Sequence, residues 1–554
     1  MLAQRGLNTA SRNISNANVE GYSRQRLETS GIPDVLNGQQ AASTGNITGT
    51  IQRFGDMFIQ SQIRTEQSAQ QAADAYHGLS SRIDSFIADS DTNLLAPMED
   101  MFASIQNIIA DPADSAARID MLSNADSMAN RVGMLNDQLS IFNDQVDSEL
   151  ANQVDEINIL AQNISAINLQ IVDLQNNPNI EPPNDLIDKR DNYLQRLSGI
   201  VGTNVVSGEK GQISVFIGYG QSLVSESGYS QIKLEPSSSV GTRNNIMLDD
   251  GVDTVDITNS LAGNGKIGGL IKFDKEVLQP TVNRMGQMVA SFALAFNAQQ
   301  RQGLDLSGKT GENLFTDYSS ATNTIENWRP DLQNNAGNAT LEVTFNEAQF
   351  KSLVPSDYNL VFQGDGQYTL TRLSDNRSYS TVDESLTLAE DGSFSVDGLK
   401  IRVVDQDNLQ VGDSYHLKPF SRVADEFKLL TRDPDKLAAA ASGTDSGGKA
   451  DNSNMIALSA IKDLGLLDGG SKSLHQAYTS LVADVGAKTR NAEIDLKAHQ
   501  SFLGQLKEQR ENIAGVNLDE EAASLLNYQQ AYQAAANIIP IANTMFDTLI
   551  SAIR

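Results

Sequence analysis

Three glycines, Gly263, Gly265 and Gly268, form a G-x-G-x-x-G pattern just ahead of a stretch that reads as a helix. In dinucleotide-binding enzymes this pattern holds a pyrophosphate at a helix N-terminus, within a βαβ unit and about 20 residues before an acidic side chain. Gln287 stands where that acidic residue would be. We therefore interpret the three glycines as a turn.

Other candidates for catalysis are scattered along the chain. Paired carboxylates could hydrolyse a glycosidic bond, but a chain with 70 acidic residues contains such pairs by chance, as at Asp84, Asp89 and Asp91. None of the four histidines has the spacing of a zinc site, since they stand singly at His77, His416, His475 and His499. Because cysteine is absent, thiolate nucleophiles and cysteine metal sites are excluded. The sequence predicts no enzyme, no cofactor and no metal site.

The charge and the chain ends limit the partners. A net charge of -29 argues against nucleic acid, whose phosphates would be repelled. The first fifteen residues lack the basic and apolar regions of a cleavable secretion signal. The stretch from Ala522 to Phe546 carries no charge, but its Asn and Gln side chains would have to lose their water inside a membrane. We expect no nucleic acid, no membrane insertion and no signal peptide.

Helical spacing dominates both ends of the chain. The longest pattern, from about Ala116 to Gln175, predicts one rod of about 80 to 90 Å at 1.5 Å per residue. The prolines of NNPNIEPPND end it. Shorter helices are predicted over residues 1–18, from Phe54 to Ile87 and from near Met98, and helices occupy nearly everything after Met455.

The middle of the chain reads as strands. Stretches such as GQISVFIGYGQSLV and DYNLVFQGDGQYTLTRL alternate apolar and polar residues between glycines. Residues 22–50 and the small residues of 438–454 are predicted to be linkers. The order predicts an α+β multidomain protein, in which helical terminal coiled-coil segments and a long-helix bundle are formed by both chain ends and β-rich domains are inserted in the middle.

This order predicts seven segments. They are 1–50, an N-terminal axial helix and linker; 51–200, the N-terminal part of a helical domain; 201–268, a β-rich segment; 269–311, a connecting helix; 312–420, an exposed β-rich domain; 421–515, the C-terminal part of the helical domain; and 516–554, a C-terminal axial helix.

The last helix carries a heptad of apolar core positions. They are Leu525, Tyr528, Tyr532, Ala535, Ile539, Ala542, Phe546, Leu549 and Ile553. The positions beside this seam are also uncharged, so the helix should have neighbours on several sides. Pro540 predicts a kink, and the acidic run at 519–521 is interpreted as helix initiation, because negative charge complements the helix dipole.

The N-terminal stripe is too short to cover this helix. It consists of Leu7, Ala10, Ile14 and Ala17. We infer that the missing cover comes from other copies of the chain, and that the two ends fold as the copies assemble.

Several segments resemble the flagellar rod, hook and hook-associated axial proteins. The N-terminal match is LNTASRNISNANVEGYSRQRLE and the C-terminal match is GVNLDEEAASLLNYQQAYQAAANII. Two internal segments, GKIGGLIKFDKEVLQP and FNAQQRQGLDLSGKTGENLF, resemble the member of this family at the hook–filament junction. The family motif falls on Asn8, Asn13, Asn16, Asn18, Gly21, Tyr22, Ser23, Arg24 and Gln25.

The resemblance implies a structural subunit in a junction ring of about eleven copies, with the terminal helices innermost. The implied partners are the hook protein, a second junction protein on the filament side, and an export chaperone at the C-terminal helix. The implied location is the extracellular flagellum, reached unfolded through the flagellar type III apparatus. Two alternatives remain: another axial subunit of hook or rod type, or a surface adhesin that uses its β domains.

Overall fold

The structure, a computed structural model, describes residues 2–19, 21–31, 47–176, 182–235, 243–320, 327–331, 335–442 and 448–553. Its helices are α1 (Leu2–Asn16), α2 (Met57–Ala88), α3 (Leu95–Ala110), α4 (Ser115–Gln175), α5 (Asn184–Ile200), α6 (Gly265–Phe273), α7 (Gln279–Gln300), α8 (Val423–Glu426), α9 (Ser453–Ala460), α10 (Leu474–Ala514) and α11 (Leu518–Ile553).

The strands lie mainly between α5 and α8. They are β1 (Gln25–Gly31), β2 (Ile47–Arg53), β3 (Thr203–Ser207), β4 (Ile213–Ile217), β5 (Gln221–Ser225), β6 (Gly228–Tyr229), β7 (Gln231–Glu235), β8 (Asn245–Asp249), β9 (Thr254–Asp256), β10 (Gly303–Leu304), β11 (Trp328–Pro330), β12 (Leu341–Phe345), β13 (Tyr358–Gly364), β14 (Gln367–Arg372), β15 (Arg377–Ser380), β16 (Ser393–Val396), β17 (Leu399–Val403), β18 (Ser414–Leu417) and β19 (Ala440–Ala441). The predicted α+β class is confirmed.

The predicted rod is α4, a single helix of 61 residues that spans about 90 Å. Asp114 caps its start by accepting a hydrogen bond from the Ala116 backbone N–H. Apolar side chains at the predicted spacing are buried along one face, among them Met121, Val132 and Ile157. Pro178 of the predicted stop lies outside the described residues, and α4 ends just before it.

The two ends of the chain meet in the helical domain. Ile63 of α2 packs in one cluster with Leu503 of α10, and farther along α2 the Tyr478 hydroxyl donates to the Ile87 carbonyl at 2.8 Å. The two long helices therefore run antiparallel. The packing of α10 on α2 brings the start of α11 back to the N-terminal part of the chain, where α1 lies against it.

Two groups of antiparallel sheets form the β-rich part. The first contains a sheet ordered β3-β4-β5-β6 and another ordered β7-β8-β9. The second contains β11-β18-β13-β14-β15 and β12-β17-β16. Between them α6 passes through a π-helical turn, Asp274–Leu278, into the almost fully buried α7. Pro280 lies in the first turn of α7, where its missing N–H costs little.

Both predicted linkers are partly wrong. Within residues 22–50, β1 and β2 form an antiparallel ladder in which Leu27 pairs with Ile51. Both residues are buried, whereas their neighbours along the strands are polar, so the apolar signal was too weak to reveal strands. Within 438–454, Ala438 to Ala440 are buried and β19 pairs with β10, because small side chains fit the narrow space beside Gly311. Residues 443–447 lie outside the described part.

Candidate assembly site at the chain ends

The first and last helices are in direct contact. A Cβ atom on Gly6 of α1 would lie 2.5 Å from the Tyr528 ring, so the two helices approach as closely as a glycine permits. Of the predicted N-terminal stripe, Ala10 is buried, whereas Leu7, Ile14 and Ala17 are half-buried. The short helix therefore covers only the beginning of α11.

The predicted C-terminal stripe is mostly uncovered. Leu525 and Tyr528 are half-buried. The later positions with described side chains are exposed: Tyr532 (50%), Ala535, Ile539 (63%), Ala542, Phe546 (68%) and Leu549. The side chain of Ile553 lies outside the described residues. Among the described helices, none has the length and apolarity needed to cross a bilayer.

A buried asparagine ties the N-terminal motif to the far end of the chain. Asn13, 1% exposed, accepts a hydrogen bond from the Gln25 N–H at 3.1 Å and donates to the Gln25 carbonyl at 2.8 Å. The same amide donates to the Glu521 carboxylate at 2.9 Å, across 508 positions of sequence. One side chain therefore holds α1, β1 and α11 together.

Arg24 adds charge to the same link. Its Nε donates to Glu521 at 2.7 Å, and its Nη1 lies 2.8 Å from Glu520. Burial alone would lower the pKa of Arg24, but the hydrogen bonds and charges of the two glutamates raise it overall. The Arg24 N–H also donates to the Ala514 carbonyl at the end of α10. We call the group of Asn13, Arg24, Gln25 and Glu521 the terminal clasp.

A second group of side chains holds the terminal clasp on α5. Arg53 donates to Asp188 and Asp191, each at 2.6 Å, and the Ser23 N–H approaches Asp188 at 3.4 Å. Burial raises the pKa of Asp188 above its usual value, although Arg53 opposes the shift. The chain can reach these partners because Gly21 adopts a positive φ of 86°.

Tyr22 completes the polar contacts of Asn13. Its hydroxyl donates to the Asn13 Oδ1 at 2.8 Å. Burial, followed by the nearby charge of Asp188, raises the pKa of Tyr22 to about 12. The phenol therefore stays a donor across the whole neutral range.

The remaining motif residues lie at the edge of this region. Asn16 donates to the Arg12 carbonyl at 3.0 Å near the end of α1, whereas Asn8 and Asn18 are exposed. Sequence reasoning missed Glu521 as a partner, because its position suggested only helix initiation. The missed signal was charge, since an acidic run at one end of the chain accompanied an arginine in the motif at the other.

The glycine pattern considered for a dinucleotide is packed against backbone. A Cβ atom on Gly265 would lie 2.3 Å from the Ile200 carbonyl oxygen, and one on Gly268 would lie 2.8 Å from the Leu261 carbonyl oxygen. Gly263 lies in a turn, as interpreted, but Gly265 and Gly268 belong to α6, so the interpretation as a turn is wrong for these two, which instead allow α6 to pack closely. Across the described ranges, no group of three or more His, Asp or Glu side chains could hold a metal ion.

Three family models and a solved structure match this chain. Residues 80–315 match the flagellar hook-associated protein FlgK helical domain, residues 331–419 match the flagellar hook-associated protein 1 D2-like domain, and residues 508–552 match the C-terminal family of the flagellar basal body rod FlgEFG proteins. The solved flagellar hook junction protein FlgK from Burkholderia pseudomallei has the same fold, with a TM-score of 0.73 over 82% of this chain and all of that one, at 22% identity.

Curated relatives extend the match along the chain. Flagellar hook-associated protein 1 of Escherichia coli K12 is 32% identical over 99% of this chain and 97% of its own length. The Salmonella typhimurium LT2 protein is 31% identical over the same shares, and the Bacillus subtilis 168 protein is 22% identical over 99% and 95%. The chain therefore belongs to the flagellar hook-associated protein 1 family, the structural subunits of the flagellum at the junction of hook and filament.

Proposed function

We propose that copies of this chain assemble by packing the exposed stripe of α11, together with α1, against the same helices of neighbouring copies. The observation that carries this proposal is that Tyr532, Phe546 and the apolar residues between them are exposed on a helix whose base is fixed by the terminal clasp. Burying these side chains would contribute on the order of 10 kcal/mol, at roughly 1.5 to 3 kcal/mol for each large one.

The proposal extends to the assembly as a whole. We expect a ring of about eleven copies, bounded by the hook protein on one side and a second junction protein on the other. Residues 1–50 and 516–554 form its inner part, 51–200 with 421–515 form the surrounding helical domain, and 312–420 faces outward. The protein acts by holding position and catalyses no reaction.

Export also belongs to this proposal. An uncovered apolar helix associates prematurely unless something covers it, so an export chaperone binds α11 before assembly. The chain then leaves the cell unfolded through the flagellar export apparatus, and α11 folds as it meets its neighbours.

A complementation experiment tests the proposed junction. A strain that lacks this chain should form hooks without filaments and release flagellin into the medium, as seen by electron microscopy and immunoblotting. The Phe546→Asp variant should give the same result, because a carboxylate cannot be buried in the packed stripe without a partner. The matched control is Val411→Asp, which changes another exposed apolar residue in a loop of the outer β domain.

The outcomes separate the alternatives. Normal filaments with Phe546→Asp would contradict packing through α11. Loss of the hooks themselves would favour a hook or rod subunit, and normal motility with lost surface attachment would favour an adhesin.

A further inference from the structure

A cleft of about 430 Å³ opens between α2 and the first group of sheets. Its thirteen lining residues include no Asp, Glu, Lys, Arg or His, although the whole chain carries 70 acidic and 41 basic residues. Amides, hydroxyls, glycines, two aromatic rings and two aliphatic side chains line it instead. A surface of this size without charge is unusual for a chain with a net charge of -29.

An exposed tyrosine stands at the rim of this cleft. Tyr219 is 83% exposed and lies between Gly218 and Gly220 in the turn from β4 to β5. Both glycines have positive φ, and a Cβ atom on Gly218 would lie 2.4 Å from the Ser260 hydroxyl oxygen. The turn is thus held against Ser260 while the tyrosine ring points away from the core. Tyrosine is among the residues that contribute most to protein interfaces.

Two hydroxyl groups at the cleft lack partners. The Oγ of Ser68 and the Oγ1 of Thr203 are buried and have no hydrogen-bond partner within the described structure. A buried polar atom without a partner costs free energy.

The uncharged surface continues along α2 toward the chain ends. Thr65 lines the cleft, and Phe58, which is 68% exposed, lies two helical turns earlier on the same face. The neighbouring charge of Glu66 is directed elsewhere, because its carboxylate meets the His499 Nδ1 of α10 at 2.6 Å. The uncharged strip therefore leads from the cleft as far as Phe58, where the exposed carboxylate of Asp56 caps the start of α2.

We propose that a second copy of this chain docks in the cleft beside Tyr219, forming a lateral contact separate from the terminal helices. Two copies that each carry a charge of -29 repel one another over most of their surfaces. They can approach most closely where no charge has to be desolvated, which is the case at this cleft and along α2 from Thr65 to Phe58. The inference rests on the proposed self-assembly and adds a second site to it.

Site-directed photo-crosslinking in assembled flagella tests the contact. A benzophenone amino acid placed at position 219 should form a covalent dimer of the chain, identified by mass spectrometry. The matched control is position 252, because Val252 is 95% exposed in the same group of sheets but lies outside the cleft. A third sample carries the benzophenone at position 546 and reports on the proposed contact of the terminal helices.

Each result decides the inference. A dimer from position 219 that is at least several-fold stronger than that from position 252 supports it. If position 546 yields dimers and position 219 does not, or if position 219 captures only a different molecule, the lateral contact is wrong and the proposed function stands. If neither position yields dimers, both fail. Equal yields of crosslinked dimer from positions 219 and 252 would indicate crowding of the copies alone and would also contradict the lateral contact.

A charge substitution provides a second measurement. Tyr219→Asp places an unpaired carboxylate in a contact that holds no other charge, so ring or tube formation by the purified protein should fall several-fold, at low salt as at high salt. Val252→Asp should leave assembly unchanged. Both side chains are exposed, so both variants should fold, which circular dichroism can verify. Unchanged assembly of Tyr219→Asp at low salt would contradict the inference.

Discussion

The side-chain amide of Asn13 forms the pair of hydrogen bonds to a strand residue that a neighbouring backbone forms in a β-sheet. Its amide pairs with both the N–H and the carbonyl of Gln25, and its remaining hydrogen reaches Glu521. Both partners are themselves almost fully buried. The asparagine therefore cannot be replaced without leaving several buried polar groups without partners.

We predict that Asn13→Ala destabilises the packing of α1 and β1 by about 1 to 3 kcal/mol, because buried hydrogen bonds are lost. Amide hydrogen exchange of residues 2–31 should accelerate accordingly, while exchange in α4 stays unchanged. Asn8→Ala is the matched control, since Asn8 lies on the same helix and is exposed. Equal exchange in the two variants would show that the terminal clasp does not hold the N-terminal segment.

The two glutamates that meet Arg24 should differ in importance. Glu521 is 3% exposed, whereas the side chain of Glu520 is 59% exposed. We predict that Glu521→Gln costs about 1.5 to 3 kcal/mol, as expected for a buried hydrogen bond to a charged group, and that Glu520→Gln costs less than about 1 kcal/mol. Urea unfolding, monitored by proteolytic release of the N-terminal segment, measures the loss of stability in both variants. Similar losses of stability in Glu521→Gln and Glu520→Gln would contradict a buried contact between Arg24 and Glu521.

Tyr22 should make the terminal clasp sensitive to alkali. An unfolded tyrosine ionises near pH 10, whereas the pKa of Tyr22 in the fold is about 12. The folded state therefore keeps the phenol proton up to a higher pH than the unfolded state does. The stability that Tyr22 contributes is complete below pH 10 and is lost as the pH rises from 10 to 12. Above about pH 10, the thermal unfolding temperature of the native protein should fall more steeply with pH than that of Tyr22→Phe. Parallel curves would contradict the assignment, because the other tyrosines titrate in both proteins.

Elements differ in how far their sequences determine them. The rod α4 is predictable because its apolar spacing persists over 61 residues and its core face is buried along the whole length. The pair β1 and β2 is not, since a two-stranded ladder whose described buried apolar residues are Leu27 and Ile51 has little alternation. Asn13, Arg24 and Gln25 of the terminal clasp belong to the predicted motif, but Glu521 was missed because nothing in the local sequence indicates that Asn13 meets it.

The sequence pattern of the last helix leaves open how far the helix bends at Pro540. The helix α11 continues through Pro540, and the Thr544 hydroxyl donates to the Pro540 carbonyl at 2.8 Å. Proline removes one backbone donor and crowds the preceding turn, which normally bends a helix. The kink therefore stays a prediction.

Two spin labels can measure that bend, since the chain has no cysteine of its own. Labels on Gln529→Cys and Ile550→Cys would be separated by roughly 32 Å of backbone rise in a straight helix. We predict a shorter distance in the assembled native sequence and a longer one in Pro540→Ala. Pro540→Ala should also raise the helix content of the free chain, because proline costs about 3 kcal/mol within a helix. Identical distances in both proteins would exclude the kink.

At the scale of the molecule, acidity and the apolar stripe act in opposite directions. The net charge of -29 keeps copies apart, whereas the exposed residues of α11 attract them. Repulsion between surface charges is screened over about 10 Å at 0.1 M salt, but the burial of apolar surface is not weakened by salt. The attractive surface is thus the exposed stripe of α11, on a chain that is acidic overall.

We predict that assembly of the purified chain increases several-fold as sodium chloride is raised from about 0.02 to 0.2 M, because screening removes the repulsion and leaves the apolar attraction. Sedimentation velocity and light scattering measure the assembled fraction. Phe546→Asp is the control, and it should remain monomeric at both concentrations because its packing surface is interrupted. If the copies were instead held by pairs of opposite charges, salt would dissolve the assemblies, and a decrease in scattering would contradict apolar packing of α11.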